Sequence, residues 1–590
     1  MNANFYKIIF SKRLGCLVAV GEHTSSSGKS AIGQGPRGSA HPQLIPTVEE
    51  NAFVGALKLT TASVILALLP IGALQAQSIA PSISAATLPQ AGSLGVGSAT
   101  ISANGAQMAI QQTTDKASIN WQSFNIGSAA SVNIAQPNAS SVLLNRVVGN
   151  DPSQILGKLS ANGQLILLNP NGVMFGKDGS VTASAFTAST FGLSDADFMN
   201  GFYKYQRNGS TAAVVNQGTI EVSSGGFVAL MGATVTNEGK IIAPQGDVVL
   251  AAAESVTLPE ELIAPKQTNK ANTISVRMGK RVRLELDPAT INTAVNNTES
   301  GVIVTEGGQV LLQSAALSSA VASVTHSGVI DTSASQAGAV TVLTENGNIK
   351  VDGTIRSNSS GSSNGSANHG GDIIIGRDEE TGALSKSTDV SSAKLESQKG
   401  FVETSGEHII VDGIQVKAAQ WLLDPTDITI TSADSGMTSS GTNPITQAPN
   451  TSGTTTSTVN ASTLESSLSS GTSVIVKTTN ASGTGNGDIT VASNIAVTGS
   501  ADATLTLQAE RDIVVNGNVS IARTGTNKLN VILNSDLDGN GAGAIVMNTG
   551  SSINSNGGNI TLGGGSAGTG VGSAFGSSVN GHGISLDGAS

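Results

Sequence analysis

The sequence predicts an all-β protein built as a right-handed parallel β-helix, carrying an inserted hairpin and preceded by a flexible N-terminal presequence. Composition is the first reason, because 590 residues include 71 glycines but only 3% aromatic and 12% charged side chains. A large aromatic core cannot be assembled from that supply. The second reason is the form of the apolar residues, which make up 38% of the chain and fall as Val, Ile, Leu and Ala in short runs broken by Gly, Asn and Ser. Such runs read as many short strands.

Internal repetition is the third reason. "NQGTI" at 216–220 returns as "NEGKI" at 237–241, and each is followed by a second run, "GGFVAL" at 225–230 and "QGDVVL" at 245–250. Looser copies follow: "ESGVI" with "GGQVLL" (299–303, 307–312), "HSGVI" with "AGAVTV" (326–330, 337–342) and "VDGTI" with "GGDIII" (351–355, 370–375). Units of roughly 20 residues cannot bury an apolar face alone and must stack on their neighbours. Gly and Asn between the runs supply the tight corners, and parallel crossovers take the right-handed sense.

Taken in chain order, residues 1–76 form a targeting segment. Lys58 precedes an apolar run of about a dozen residues and then small residues, the layout of a secretory signal peptide with cleavage after Ala76 or Ala80. Residues 1–76 carry a net charge of +3 out of a total of −11, leaving −14 for the remainder. An acidic exported chain lacks the clustered Lys and Arg that nucleic-acid binding needs. The single cysteine, Cys16, lies in the presequence, so the processed chain has no disulfide and no thiolate metal site. No two of the six histidines stand at a metal-ligand spacing, and neither a metal nor a cofactor is expected.

Three segments break the repeat. Residues 263–295 read as an inserted hairpin with a short helix, and the Ser/Gly-rich stretches 356–369 and 431–472 read as loops or weak linkers. "SDLDGNGAG" at 535–543 places Asp536, Asp538, Asn540 and Gly541 at EF-hand positions, but Met547 stands where the bidentate Glu belongs. A turn is the expected reading.

Two groups of motifs carry a family resemblance. "MNANFYKIIFSKRLG" at the start is similar to the extended signal peptide region of large exported Gram-negative proteins, although Leu14 separates Arg13 from Gly15. "INWQSFNIG" (119–127), "LLNRVVGNDPSQILGKLSANGQLILLNPNGVMFG" (143–176) and "ASTFGLSDADFMNG" (188–201) resemble the two-partner secretion domain, or haemagglutination activity domain, of filamentous haemagglutinin-like exoproteins. "FVETSG" (401–406) and "WLLDPTDITI" (421–430) extend the likeness. The resemblance implies three parts: presequence and Sec signal at 1–76, secretion domain at 77–335, and a β-helical repeat region at 336–590. It also implies passage through the Sec translocon and then, unfolded, through an outer-membrane barrel whose periplasmic domains bind the passenger. The absence of cysteine from the processed chain is consistent with threading.

Within the secretion domain, Asn169, Pro170, Asn171 and Gly172 explain themselves as a corner: Pro170 fixes φ, Asn169 closes an Asx turn, and Asn171 and Gly172 tolerate positive φ. The resemblance adds a second reading, direct contact with the transporter, and both stay open. Asn145 precedes Arg146, which suits a carboxylate or backbone carbonyls, and Trp121 with Phe124 is expected to cap the N-terminal end of the solenoid. The function implied is that of a secreted or surface-attached adhesin, with a host-cell or neighbouring-cell receptor, glycan among the candidates, as its further partner. The alternatives are the stalk of a contact-dependent growth inhibition toxin lacking its effector and a β-helical polysaccharide-degrading enzyme. The last needs clustered carboxylates with Lys or Arg, and its acids, "PEEL" (259–262) and "RDEETG" (377–382), stand apart in sequence.

Overall fold

The computed structural model describes residues 83–590 apart from 260–281, 286–291, 317–320, 346, 361–368, 436–438, 441–445, 448–455 and 481–484, together with strands at 6–11 and 16–21. Two units result, Met1–Ser78 and Ile79–Ser590. In the first, Tyr6–Ser11 pairs antiparallel with Cys16–Gly21. Ala76 and the signal segment lie outside the described residues, as does the short helix expected within 263–295.

The second unit is a parallel β-helix with three strands per coil. One coil runs from Thr219–Val222 through Phe227–Met231 to Thr234–Asn237, and each strand pairs in register with its counterpart in the next coil. The repeat in the sequence showed two of these strands. The third, as in Ala213–Asn216 and Thr234–Asn237, ends in the Asn that opens the next "NQGTI"-type run, so in the sequence it merges with that motif.

Alternation decides what points inward. On the first ladder Ile220 stacks on Ile241, Ile241 on Ile303, Ile303 on Ile330 and Ile330 on Ile355, all fully buried. Each such side chain contributes roughly 1.5–3 kcal/mol by leaving water. The second ladder behaves differently, because "QLILL" (164–168) and "FVALM" (227–231) are buried at every position and, apart from Gln164, apolar throughout. Continuous apolar runs mark strands covered on both sides. Leu165, Leu167, Val228 and Leu230 fill the solenoid, whereas Ile166, Leu168, Ala229 and Met231 face a second apolar layer outside it.

That outer layer consists of Phe191, Leu193, Phe198, Tyr203, Tyr205, Val256 and Leu258. Part of it is a three-stranded antiparallel sheet in which Ser255–Thr257 pairs with both Lys204–Gln206 and Arg283–Glu285. This is the form taken by the expected inserted hairpin. The N-terminal end of the solenoid is closed by antiparallel strands, Ala99–Asn104 against Gln107–Gln112 and Ser93–Leu94 against Lys116–Trp121. Reversed, largely exposed strands blunt an edge that would otherwise template further pairing.

The stretch 431–472 is more ordered than the loop or linker expected from its Ser/Gly content. Thr456–Asn460 is a strand of the third ladder, and helix α2 (Ala461–Ser469) occupies the place of a first-ladder strand, with Leu464 and Leu468 in the core. Asn460 caps the helix by accepting from the Ser462 N–H at 3.0 Å. On its other side Glu465 accepts from the Ala496 N–H at 2.6 Å and Ser469 from the Thr498 N–H at 3.1 Å. These side chains replace the carbonyls that a strand would have offered.

At the end of the third-ladder strands runs a chain of buried amides. Asn216 donates to Asn237 (2.8 Å), Asn237 to Asn297 (2.7 Å), and Asn297 to Nδ1 of His326 (3.0 Å), all fully buried. Nε2 of His326 lies 3.2 Å from the Thr354 carbonyl, which only accepts, so the imidazole carries its proton there. Burial disfavours the charged ring and pushes the His326 pKa down to about 4.

Candidate functional site

The corner at 169–172 joins Gln164–Leu168 of the second ladder to Val173–Phe175 of the third. Asn169 is fully buried and binds both neighbouring coils. Its backbone N–H donates to the Ser189 carbonyl (2.9 Å) in the following coil, and Nδ2 donates to the Asp151 carbonyl and Ser153 Oγ (3.0 Å each) in the preceding one. Its Oδ1 accepts from the Asn171 N–H at 2.9 Å, the expected Asx turn, and the Gly172 N–H returns to its carbonyl at 3.1 Å.

Pro170 and Asn171 are exposed. Even so, Asn171 Nδ2 donates to the Gly149 carbonyl (2.8 Å), and Ser210 Oγ donates to the Pro170 carbonyl (2.6 Å). Of the two residues expected to use positive φ, Gly172 does so at 119°, while Asn171 is not among the positive-φ residues. One glycine suffices because the Asx turn carries Asn171 through with ordinary backbone angles.

Asn145 lies inside the solenoid, where its Oδ1 accepts from the Trp121 indole N–H at 3.0 Å. Trp121 and Phe124 pack edge to face, 5.5 Å between centroids, in the interior of the first coil. They fill that coil, and the antiparallel strands above supply its lid, because an indole that must hydrogen-bond is served by Asn145 within the coil rather than at its rim.

Arg146 points the opposite way and meets both partner types foreseen for it. Its guanidinium donates to Asn120 Oδ1 (3.0 Å), the Leu193 carbonyl (2.7 Å) and Asp195 (2.9 Å). Asp195 opens helix α1 (Asp195–Asn200), which Ser194 caps by accepting from the Asp197 N–H and Gly201 ends at φ 79°. At the other end Lys116 donates to the carbonyls of Phe198 (2.9 Å) and Met199 (3.1 Å) while lying 5.6 Å from the ring centres of Phe198 and Tyr203. Two cations on the second ladder therefore clamp α1 at both ends, the Lys at the carbonyl end where a positive charge is favoured.

The sequence left Lys116 and this clamp unassigned. A signal was present, since two of the three tyrosines and three of the twelve phenylalanines fall between 191 and 205. Beside α1 lies a cleft of about 960 Å³ lined by Arg146, Asp195, Phe202 and Tyr203 among others.

A second constellation joins the motifs at 401–406 and 421–430. Trp421 Nε1 donates to Thr404 Oγ1 (3.0 Å), Arg377 lies 3.5 Å from both Glu403 and Asp424, and Lys477 is 2.8 Å from Asp424. Two acids and two bases are thus gathered on one face, which the sequence did not show. Asp424 is fully buried and Glu403 is 5% exposed, so both acids face Arg377, Lys477 and Ser405 rather than solvent. Burial pushes the Glu403 carboxyl upward, opposed by its bond from Ser405 and by Arg377.

Among the described residues no three His, Cys, Asp or Glu side chains gather as a metal site. In the EF-hand-like stretch Asp536, at φ 52°, accepts from the N–H groups of Gly541 (2.9 Å) and Ala542 (3.3 Å), so this carboxylate staples a turn.

A parallel solenoid with an outer apolar layer and a stapled corner is the frame on which the sequence comparisons fall. Residues 85–332 match the TPS secretion domain and residues 1–47 the extended signal peptide of type V secretion systems. The chain thus carries a TPS secretion domain and an extended signal peptide, which mark it for export through the periplasm to the outside of a Gram-negative cell.

Two curated relatives are heme/hemopexin-binding proteins of Haemophilus influenzae. One is 39% identical over 159 residues, covering 26% of this chain and 18% of its own, and the other is 38% identical over 112 residues, covering 19% and 12%. The aligned part thus spans less than a fifth of either relative. Among solved structures, the HMW1 secretion domain of Haemophilus influenzae is 25% identical with a TM-score of 0.44, covering 57% of this chain and all of its own. The filamentous hemagglutinin secretion domain is 15% identical with a TM-score of 0.29, covering 57% and 96%.

Proposed function

We propose that this exoprotein is an adhesin, secreted or held at the cell surface, that reaches it through a dedicated outer-membrane barrel with periplasmic binding domains. The secretion-domain match over residues 85–332 carries this reading. On it, the Sec translocon delivers the chain after cleavage near Ala76, the corner at Asn169–Gly172 shapes the domain the barrel's periplasmic part engages, and the later coils present a receptor-binding surface to a host or neighbouring cell. Export is tested by expressing the chain with and without a two-partner secretion barrel, and undiminished release without the barrel would sink it. Adhesion is tested by binding of the purified chain to cells before and after removal of surface glycans.

The heme/hemopexin-binding relatives favour a second reading, capture of a heme-carrying ligand. Titration of the purified chain with hemin and with hemopexin separates the two. Saturable hemin or hemopexin binding without cell attachment would replace the adhesin reading.

A further inference from the structure

In a solenoid, each strand normally stacks on one made earlier in the chain. The third ladder obeys this up to His408–Ile410, which pairs with Ser387–Asp389. The next strand of that ladder in sequence, Asp427–Thr431, does not. One of its neighbours is Thr456–Asn460 and the other is Ile489–Val491, and both come later in the chain.

The place beside His408–Ile410 is taken by the strand that arrives afterwards. Ser457 Oγ of that strand accepts from the Ile409 N–H at 3.1 Å. Ser457 and Val459 are buried, Val459 completely, and Val459 stands opposite Ile430 in the register. Thr456–Asn460 is therefore intercalated between two strands that precede it.

We propose that Thr456–Asn460 is a closing strand, and that Asp427–Thr431 waits unpaired until it inserts. The solenoid then assembles as two blocks joined at this slot rather than coil by coil. Until residue 460 is available, Asp427–Thr431 lacks both hydrogen-bonding neighbours and has no means of protecting its amides. Helix α2, which follows the closing strand directly, is seated in the same step because Leu464 and Leu468 fill the core at that level. For a chain emerging N-terminus first, which rests on the export reading above, the slot is a hold point about 30 residues long.

Pulse-labelled hydrogen exchange during refolding of the full mature chain tests the order and does not depend on export. Third-ladder amides at 294–297, 322–326 and 408–410 are expected to gain protection in one phase, and those at 427–431 and 456–460 together in a later one. Protection of 427–431 along with 408–410 while 456–460 still exchanges would overturn the proposal, as would a single phase for all of them. Val459→Ala provides a second reading, because it should slow protection of 427–431 about fivefold while 294–326 keeps its rate. Equal rates at 427–431 in variant and parent would also overturn it.

Discussion

Asn169 holds three coils together through one side chain and its backbone, and truncation shows what that contributes. Asn169→Ala leaves the Asp151 carbonyl, Ser153 Oγ and the Asn171 N–H without their partner, and is expected to lower stability by about 2–3 kcal/mol in chemical denaturation. Asn171→Ala removes the bonds of Nδ2 to the Gly149 carbonyl and to Asn169 Oδ1 at an exposed position, while its backbone N–H keeps the Asx turn, and should lower it by about 1 kcal/mol. The second variant separates the two readings of the corner. If it folds but is no longer secreted, transporter contact is the role of Asn171; if secretion persists, the corner's task is architectural. The residue types of this corner were legible because Asx turns and prolines act locally. That Asn169 also reaches Ser189 and Asp151 was not, since those contacts depend on the stacking register.

His326 gives a pH dependence of definite sign. Its ordinary pKa is about 6.5 and its folded value about 4, so between those values the unfolded chain takes up a proton that the folded chain refuses. The stabilisation is complete above about pH 6.5 and declines as pH falls towards 4, by about 3 kcal/mol in all. Denaturation of the parent and of His326→Asn at pH 7.5 and 4.5 measures it. The parent should lose more stability on acidification than the variant, and equal losses would contradict the neutral, ladder-terminating imidazole.

Helix α1 shows how much of an element's geometry can come from outside it. Six residues are too few for a stable isolated helix, so its position depends on Phe198 in the outer apolar layer and on the cations at its two ends. Arg146→Met should leave the solenoid folded while amide protection falls between 191 and 205. Lys116→Met should act in the same direction and more weakly, because Arg146 ties a side-chain amide, a carbonyl and a carboxylate together whereas Lys116 reaches two carbonyls of the last turn. Protection unchanged in both variants would mean that apolar packing alone seats the helix. The strand pairs were readable, since pattern is local, whereas the 188–201 motif reads only as a family likeness that does not reveal its helix or the Ser194 cap. The clamp was not readable either, because Arg146 and Asp195, like Lys116 and Phe198, lie far apart in sequence and meet only through the fold.

For the whole molecule, parallel stacking makes threading and cross-linking incompatible. Thr182 and Glu221 are exposed register partners on adjacent coils of the first ladder, a spacing that suits a disulfide. Thr182→Cys combined with Glu221→Cys should reduce release about tenfold with the chain retained in the periplasm, and reductant should restore it. The single variants should be released normally. Full release of the oxidised double variant would show that the chain does not cross the outer membrane unfolded.

Ile241 stacks directly on Ile303 although 62 residues separate them, and Ile220 stacks on Ile241 across only 21. The interior ladder does not register how much polypeptide lies between its members, because the excess leaves at a corner and rejoins at the next. Outward loops on such a scaffold are thus free to change length and composition while the buried isoleucines stay put, so the surface can be remodelled without refolding the frame.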